Sequence, residues 1–314
     1  MSTAPKPIVI VGCTASGKSD LGEALAIRLG ASIMAVDSMQ VYRGMDIGTA
    51  KPDAATRARI PHLMIDVADA WESYSAARFV SEARPIVESP ARPRLLLVAG
   101  TFLYLRALME GLFEGPSADP AIREELTTRA ARDGSSALHE ELAGIDRIAA
   151  GRIHHNDLRR IVRALEVFRL TGTPISTLQT QWSRDHPAID AVYIGIQWPK
   201  EQLSRRINAR VKKMVELGLV EEVSRLARDP RGFSEEASAA VGYRQLLDHF
   251  ARRCSLEEAI EQIKIQTRYL AKMQRTWLKR WPPNVHWLEA SDDLQGGDLL
   301  ERALDIVERS ETAQ

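Results

Sequence analysis

The stretch that most limits what this chain can become is Gly12-Cys13-Thr14-Ala15-Ser16-Gly17-Lys18-Ser19. It reads G-x-x-x-x-G-K-[ST], a phosphate-binding loop, and its flanks suit it. Ile8-Val9-Ile10-Val11 is an apolar run suited to a buried strand, and Leu21, Leu25 and Leu29 recur at helical spacing behind the loop. The glycines let the backbone fold tightly and turn N–H groups onto phosphate oxygens. Lys18 adds a point charge on a flexible stem. The Ser19 hydroxyl can hold Mg²⁺, and a helix N-terminus favours an anion. Gly12 through Ser19 are therefore the expected phosphate ligands, with Ser19 the metal-binding residue. The loop leaves open whether that phosphate belongs to a nucleotide.

The rest of the chain fits around this unit. At 314 residues there is room for one large domain or two smaller ones. Ile33-Met34-Ala35-Val36 reads as a second strand and delivers Asp37 to the edge that carries the phosphate loop. Ser38 to Pro52 is a long loop rich in glycine and polar residues. A short strand is expected over Leu63–Val67 and a helix over Ala76–Val87. Leu95-Leu96-Leu97-Val98 is a third buried strand, ending in Ala99-Gly100-Thr101. A motor-type NTPase carries an acidic residue at such a strand end to hold Mg²⁺; here Asp37, on another strand, is the nearest carboxylate of the edge. From Asp119 (N-cap) and Pro120 (first helical position) the pattern turns helical, with a strong helix marked by Ile161, Leu165 and Phe168 and stopped by Gly172-Thr173-Pro174. A strand returns at Ala191–Ile196, and the remainder reads as helical. The expected fold is thus α/β: a P-loop core with a mainly parallel sheet flanked by helices, plus a helical insertion. The core falls in 1–118 and 186–314, the insertion in 119–185.

Lys+Arg and Asp+Glu both number 42, so only local clusters can speak about partners. Lys264, Arg268, Lys272, Arg275 and Lys279 share one helical face with no acidic residue between Lys264 and Arg280, and Tyr269, Trp277 and Trp281 are interleaved. Arg159, Arg160 and Arg163 form a second cluster; Arg205, Arg206, Arg210, Lys212 and Lys213 form a third. Three such clusters favour a nucleic-acid partner over a merely solvated surface, with the aromatics read as core. His154-His155-Asn156-Asp157 lacks a spaced third ligand and reads as a loop and helix cap, not a metal site. The two cysteines, Cys13 and Cys254, lie far apart, which favours a reducing compartment. Cys13 stands near a helix N-terminus, which can activate a thiol, but a plain small residue is the expectation there. No apolar run reaches membrane length, so a cytoplasmic protein without membrane contact is expected.

The phosphate loop, followed by Asp37-Ser38-Met39-Gln40-Val41-Tyr42-Arg43-Gly44-Met45-Asp46-Ile47-Gly48-Thr49-Ala50-Lys51-Pro52, resembles the bacterial tRNA dimethylallyltransferases. Further matches are Gly100-Thr101-Phe102-Leu103-Tyr104, Arg152-Ile153-His154 with Asn156-Asp157, Arg159 to Glu166, Val241-Gly242-Tyr243-Arg244-Gln245, Thr267 to Lys272, and Gln274 to Trp277. The loop alone is shared by many families; the run from Asp37 to Pro52 is far more specific. Two departures are Ala99, where the family usually has glycine, and His155, where it often has proline.

The resemblance implies transfer of a dimethylallyl group from dimethylallyl diphosphate to N6 of adenine 37, beside the anticodon of tRNAs that read codons beginning with U. It implies Mg²⁺, diphosphate on Gly12–Ser19, and Asp37, Thr101 and Arg160 as catalytic residues. The tRNA anticodon stem-loop would be met by Asp37, Ser38, Met39, Gln40, Thr101, Arg123, Arg159, Arg160, Ile161, Val162 and Arg163, by Val241, Gly242, Tyr243 and Arg244, and, on the basic helix, by Arg268, Lys272 and Arg275. A monomer is expected. Two rivals remain: a P-loop small-molecule kinase, which leaves the basic helix unused, and a nucleic-acid-dependent NTPase, which lacks its acidic strand end.

Overall fold

The computed structural model describes residues 5–112, 115–179, 189–282, 284–293 and 296–312. The chain divides into two compact units, one of Met1–Met109 with Ile189–Gln314 and one of Glu110–Ala188. The helical unit therefore begins at Glu110, ahead of the expected 119; the expected end at 185 lies outside the described residues.

In the first unit β1 (Ile8–Gly12) runs through the phosphate loop into α1 (Lys18–Leu29), followed by β2 (Ser32–Val36), α2 (Ala54–Arg59), β3 (His62–Leu63), α3 (Ala76–Glu88), β4 (Leu95–Ala99) and α4 (Phe102–Glu110). The second unit holds α5 (Pro120–Asp133), α6 (Ser135–Ile145), α7 (Arg147–Arg152), α8 (Leu158–Thr171) and α9 (Ile175–Leu178). The first unit resumes with β5 (Val192–Gln197), α10 (Lys200–Glu216), α11 (Leu219–Ala227), α12 (Glu235–Ser238), α13 (Tyr243–Phe250), α14 (Leu256–Leu278), β6 (His286–Glu289) and α15 (Gly296–Thr312). Among the described residues no helix is long and apolar enough to cross a membrane.

The strands form one sheet in the order β3-β2-β4-β1-β5-β6, every neighbouring pair parallel. A parallel sheet needs cover on both faces, and the alternation along β1 supplies it. Val9 and Val11 join one core with α3, α4, α10, α11, α13 and α14. Ile8 and Ile10 join the other, with Leu21 and Leu25 of α1 and Ala303 and Val307 of α15. The chain order reverses at β1, so the crevice beyond the C-terminal ends of β1 and its neighbours is where a ligand belongs. The phosphate loop, Asp37 (after β2) and Gly100-Thr101 (after β4) all emerge there.

Two strands differ from expectation. β3 stops after Leu63, because Met64 and Asp66 take left-handed φ values of 63° and 58° and break the extended run. β6, where only helix was expected, pairs with β5 from Ile194↔His286 to Gln197↔Glu289. It is a short edge strand in which only Leu288 is buried, too brief for alternation to register.

The helical unit has its own core, including Leu126, Leu138, Leu142, Ile161 and Leu165. Asp119 caps α5 ahead of Pro120, Asp157 caps α8 through Arg160 N, and Gly172 ends α8 in the left-handed region. His154 and His155 stack on each other in the preceding loop, and among the described residues no group of three or more His, Cys, Asp or Glu could hold a metal.

Glu166, fully buried, accepts from Asp119 N (2.8 Å), Arg123 Nε and Nη2 (2.8 and 3.1 Å) and Arg163 Nη1 (2.6 Å). Burial pushes Glu166 up, but the Arg123 and Arg163 hydrogen bonds win and hold it below the usual glutamate range. A depressed carboxylate contributes stability above its unfolded value and loses it as pH falls through the folded one. Glu166→Gln should therefore destabilise the helical unit by about 1–3 kcal/mol at neutral pH. In urea unfolding, the gap to the parent should close as pH drops below about 4; a gap independent of pH would mean the charge contributes nothing.

Candidate active site

The phosphate loop is shaped by two glycines. A Cβ on Gly12 would stand 2.7 Å from Ser16 Oγ and 3.0 Å from the Ile196 carbonyl oxygen, so only glycine lets β1 turn there. Gly17 takes φ 89° as the N-cap of α1 and offers no side chain, which leaves the first N–H groups of that helix for a ligand. Ser16 N donates to Cys13 O (3.2 Å), closing the turn, and Lys18 Nζ folds back on the same carbonyl (2.8 Å).

Residues far along the chain brace the loop. Trp198, just after β5, donates its Nε1–H to Ser16 O (2.9 Å). Arg206 on α10 donates from Nε to Ala15 O (2.9 Å), with its guanidinium 4.1 Å from the centre of the Trp198 ring. Gln274 on α14 accepts from Thr14 N (2.7 Å) and donates to Gly100 O (2.9 Å), tying the phosphate loop to the end of β4. Cys13 Sγ donates to Ala271 O at 3.4 Å. Burial pushes the Cys13 thiol up despite Lys18 and Arg275 nearby, so the residue is packed as a small hydrophobe and not as an activated thiolate.

Opposite the loop stands Asp37. Its Oδ1 accepts from Met39 N (2.8 Å) and Gln40 N (3.3 Å) and ties the turn after β2. Its Oδ2 approaches Gly100 so closely that a Cβ there would lie 2.1 Å away. The position that must be glycine is thus Gly100; Ala99 is a buried β4 residue. Thr101 Oγ1 accepts from Ser38 N (3.0 Å) and donates to Ser38 Oγ (3.1 Å), while Gly100 N and Thr101 N both donate to Val36 O (3.0 Å each).

Asp37 and Thr101 share one cavity of about 320 Å³ with Thr14, Lys18, Ser19 and Arg210. Met39, Gln40, Val241, Gly242 and Tyr243 line it too, with Val211, Met214 and Leu219 among its apolar walls. A second, more open groove of about 700 Å³ shares Lys18, Ser19, Ala50 and Arg210 with it and adds Asp20, Arg206 and Lys213. The cradle lies where the two meet. Burial, reinforced by Arg210, lowers Lys18 to about 8. Burial also lowers Arg210, against the pull of Asp37 and Asp20. Cations that burial disfavours, beside uncapped helix N–H groups, make a site that gains from an incoming anion. Of the third basic cluster, Arg206 and Arg210 therefore serve the cradle. Arg205 and Lys212 face acidic partners, Asp292 and Glu216.

The loop from Ser38 to Pro52 forms part of the cavity wall and is held by buried charge. Glu222, on the buried face of α11, accepts from Asp46 N (2.9 Å), Ile47 N (2.8 Å), Gly48 N (3.2 Å) and Tyr243 Oη (2.6 Å). Lys51, its side chain fully buried, meets Asp46 (2.9 Å), Asp66 (2.6 Å) and the Tyr42 carbonyl. Gln40 donates to Thr49 O (3.1 Å) and Ala50 O (3.4 Å), so its amide nitrogen closes the loop on itself.

The residues expected to meet tRNA differ in exposure. Ile161 is buried in the core of the helical unit and Val162 nearly so, so their side chains are not presented at the surface. Arg123 and Arg163 are engaged with Glu166, whereas Arg159 and Arg160 are exposed on the first turn of α8, Arg160 3.4 Å from Asp157. Tyr243 is fully buried as a cavity wall; Arg244 is exposed. The basic face of α14 splits. Lys264 pairs with Glu261 and Arg268 with Asn208 (2.6 Å), Lys272 is exposed, and Arg275 turns toward Cys13. Trp281 is buried and Trp277 packs on the core, while Tyr269 is exposed.

A P-loop cradle that shares its cavity with a carboxylate, in a sheet lacking an acidic residue after β4, is the site of a group-transferring P-loop enzyme and not of an NTP-driven motor. The IPP transferase family model matches residues 40–281, and the isopentenyl transferase model matches residues 6–66. The tRNA dimethylallyltransferase of Geobacter sulfurreducens is 44% identical over 286 residues, covering 90% of this chain and 92% of that protein. The tRNA dimethylallyltransferase 2 of Hahella chejuensis is 42% identical, covering 96% and 95%. Among solved structures, the tRNA isopentenylpyrophosphate transferase of Bacillus halodurans superposes with a TM-score of 0.70 at 36% identity, covering 98% of each chain. A eukaryotic dimethylallyltransferase described as acting on tRNA gives 0.81 at 26% identity, covering 99% of this chain and 80% of that one. The chain belongs to the IPP transferase family.

Two outcomes test this geometry. At about pH 8.5, just above the Lys18 value, inorganic pyrophosphate binding should take up protons, because the anion raises the lysine's pKa. Calorimetry in buffers of different ionisation enthalpy reads the uptake, and Lys18→Met should abolish most of it. Glu222→Gln should speed amide exchange at Asp46, Ile47 and Gly48 by roughly ten- to a hundred-fold, the equivalent of about 1–3 kcal/mol; unchanged protection would mean the loop holds itself.

Proposed function

We propose that this chain is a prenyltransferase that modifies tRNA, moving a dimethylallyl group from dimethylallyl diphosphate to N6 of adenine 37 in tRNAs reading codons that begin with U. The observation that carries this reading is the shared cavity: Asp37 lines the same enclosure as Lys18 and Ser19.

In the reaction the allylic C–O bond to the diphosphate breaks, and its electron pair leaves with the diphosphate. Negative charge grows on the leaving group where Lys18, Arg210 and the N–H groups opening α1 can stabilise it. The carbon forms its new bond to the exocyclic amine. That amine carries little basicity and gives its proton to Asp37, a general-base effect worth ~10²–10⁴-fold. Gly100 permits this by leaving room for Asp37 Oδ2. Thr101 and Ser38, hydrogen-bonded to each other, set the wall beside that carboxylate. An adenine stacked in a loop cannot reach such an enclosure, so it is flipped out at a cost of a few kcal/mol. Apolar walls such as Val211 and Met214 keep water from the allylic cation.

The donor set around the cradle suits Mg²⁺. Ser19 opens onto both cavities, and its neighbours are hard oxygen groups with no thiolate or imidazole among the lining residues. Ser19 would hold the ion together with substrate oxygens, and the ion would neutralise charge on the departing diphosphate. The exposed Arg159, Arg160, Arg244 and Lys272 offer positive charge to the RNA backbone.

The deciding experiment incubates the protein with Mg²⁺, unmodified tRNA and labelled dimethylallyl diphosphate. Label should enter tRNA; no label, with steady ATP turnover instead, sinks the reading in favour of a kinase or NTPase. Asp37→Ala and Gly100→Ala should each lower turnover by about two orders of magnitude or more while pyrophosphate affinity stays near that of the parent. Equal loss of binding in Asp37→Ala would make that carboxylate a metal ligand and not the base.

A further inference from the structure

A separate cavity of about 420 Å³ backs onto the phosphate-loop turn. Cys13 and Ser16 line it, but Lys18, Ser19 and Asp37 do not, and it shares no lining residue with the cavity that holds Asp37. Ser16 also lines the open groove beside the cradle, but none of Lys18, Ser19, Arg210 or Asp37 lines this cavity, so it is not the enclosure assigned to the chemistry above.

Its walls combine two chemistries. Trp198, Trp287 and Leu203 give it an apolar body. Trp287 packs against Gly195 of β5, where a Cβ would stand 2.5 Å from the indole, yet the residue keeps 37% of its surface exposed. Arg275 and Lys279 bring two positive charges, and among the described residues neither forms an ion pair. Between them Arg275 reaches the Cys13 thiol, a weak acceptor for a guanidinium. Ser16 Oγ, only 2% exposed, is the one buried side-chain polar atom among the described residues with no hydrogen-bond partner. A buried hydroxyl left unpaired carries a desolvation cost that a bound acceptor would relieve.

We propose that this cavity is a binding site for a small planar anion: an aromatic body carried against the indoles, and an acidic group met by Arg275 and Lys279 with Ser16 Oγ as a further donor. No carboxylate lines it, so a divalent cation is not its ligand. It also lacks the helix N-terminus and lysine of the diphosphate cradle, which separates its ligand class from that of the substrate. Indole faces suit flat ring systems, and a guanidinium suits a planar oxyanion by paired donation.

The probe is 8-anilinonaphthalene-1-sulfonate, titrated by fluorescence into the full chain with Mg²⁺ and saturating inorganic pyrophosphate present, so that the substrate cradle is filled. One saturable site should appear, with energy transfer from tryptophan. Lys279→Glu and Trp287→Ala should each weaken it by about tenfold or more, and N-phenyl-1-naphthylamine, which lacks the sulfonate, should bind at least about tenfold less tightly. Thermal melts check that the variants fold, and Trp287→Phe, which keeps a flat ring, should retain most of the affinity. A site that appears only when pyrophosphate is left out would put the probe in the cradle and overturn the proposal. So would equal binding of the neutral analogue, or an affinity unchanged in both variants.

Discussion

The site depends on a single amide. Gln274 accepts from Thr14 in the phosphate loop and donates to the Gly100 carbonyl at the end of β4, while Gly100 in turn leaves the gap into which Asp37 Oδ2 fits. One buried side chain thus sets the separation between the phosphate loop and the strand end that faces the Asp37 carboxylate. A carboxylate or ammonium could not do this, since the partners are one donor and one acceptor; an amide presents both from one plane. The neutral choice also keeps a further charge away from Lys18 and Arg210, which burial already disfavours.

Charge is arranged by depth more than by amount. With equal numbers of acids and bases, the chain has no net charge to attract nucleic acid, yet Lys18, Arg206 and Arg210 are concentrated in one groove, where Asp37 and Asp20 act on Arg210. Arg206 does not act through charge alone: it stacks on Trp198 and holds the Ala15 carbonyl, so it also shapes the loop it flanks. Screening by salt weakens exposed charges such as Lys272 far more than these enclosed ones.

What was legible in the chain was local. The phosphate loop between an apolar run and a helical period, Asp37 at a strand end, the Asp119-Pro120 start and the Gly172 stop are all written within a few residues of where they act. The residues that complete the site are not: Trp198, Arg206, Gln274 and Glu222 reach the phosphate loop, Gly100 or the loop after β2 across 174 to 260 positions of sequence. Two of them did leave a trace. Glu222 interrupts the apolar stripe of Leu219, Val223 and Leu226, and Gln274 interrupts that of Ile263, Ala271 and Leu278. A polar residue on an otherwise buried helix face must have a partner, and that argument identifies a tie without identifying what is tied. The basic face of α14 misled for the related reason that angular spacing ignores the neighbours: Arg268 is met by Asn208 from α10, and Arg275 is turned against the phosphate loop.

The loop after β2 raises the question of why a cavity wall should be held by buried ions when apolar packing is cheaper. Removing a carboxylate from water costs several kcal/mol before any partner is found, and Glu222 is almost fully buried. The answer lies in the backbone it meets. Asp46, Ile47 and Gly48 turn three successive N–H groups the same way, outside any strand or helix that could pair them. Gly48 itself is pressed against the Tyr243 ring, with no room there for a side chain or a water. Three orphaned donors would cost more than one desolvated carboxylate, and a leucine of equal volume could satisfy none of them. Lys51 answers the opposite need in the same loop, collecting the Tyr42 carbonyl together with Asp46 and Asp66. Moving this wall would strand a buried charge on Glu222 or Lys51, so the same contacts that hold the loop also hold the shape of the cavity it lines.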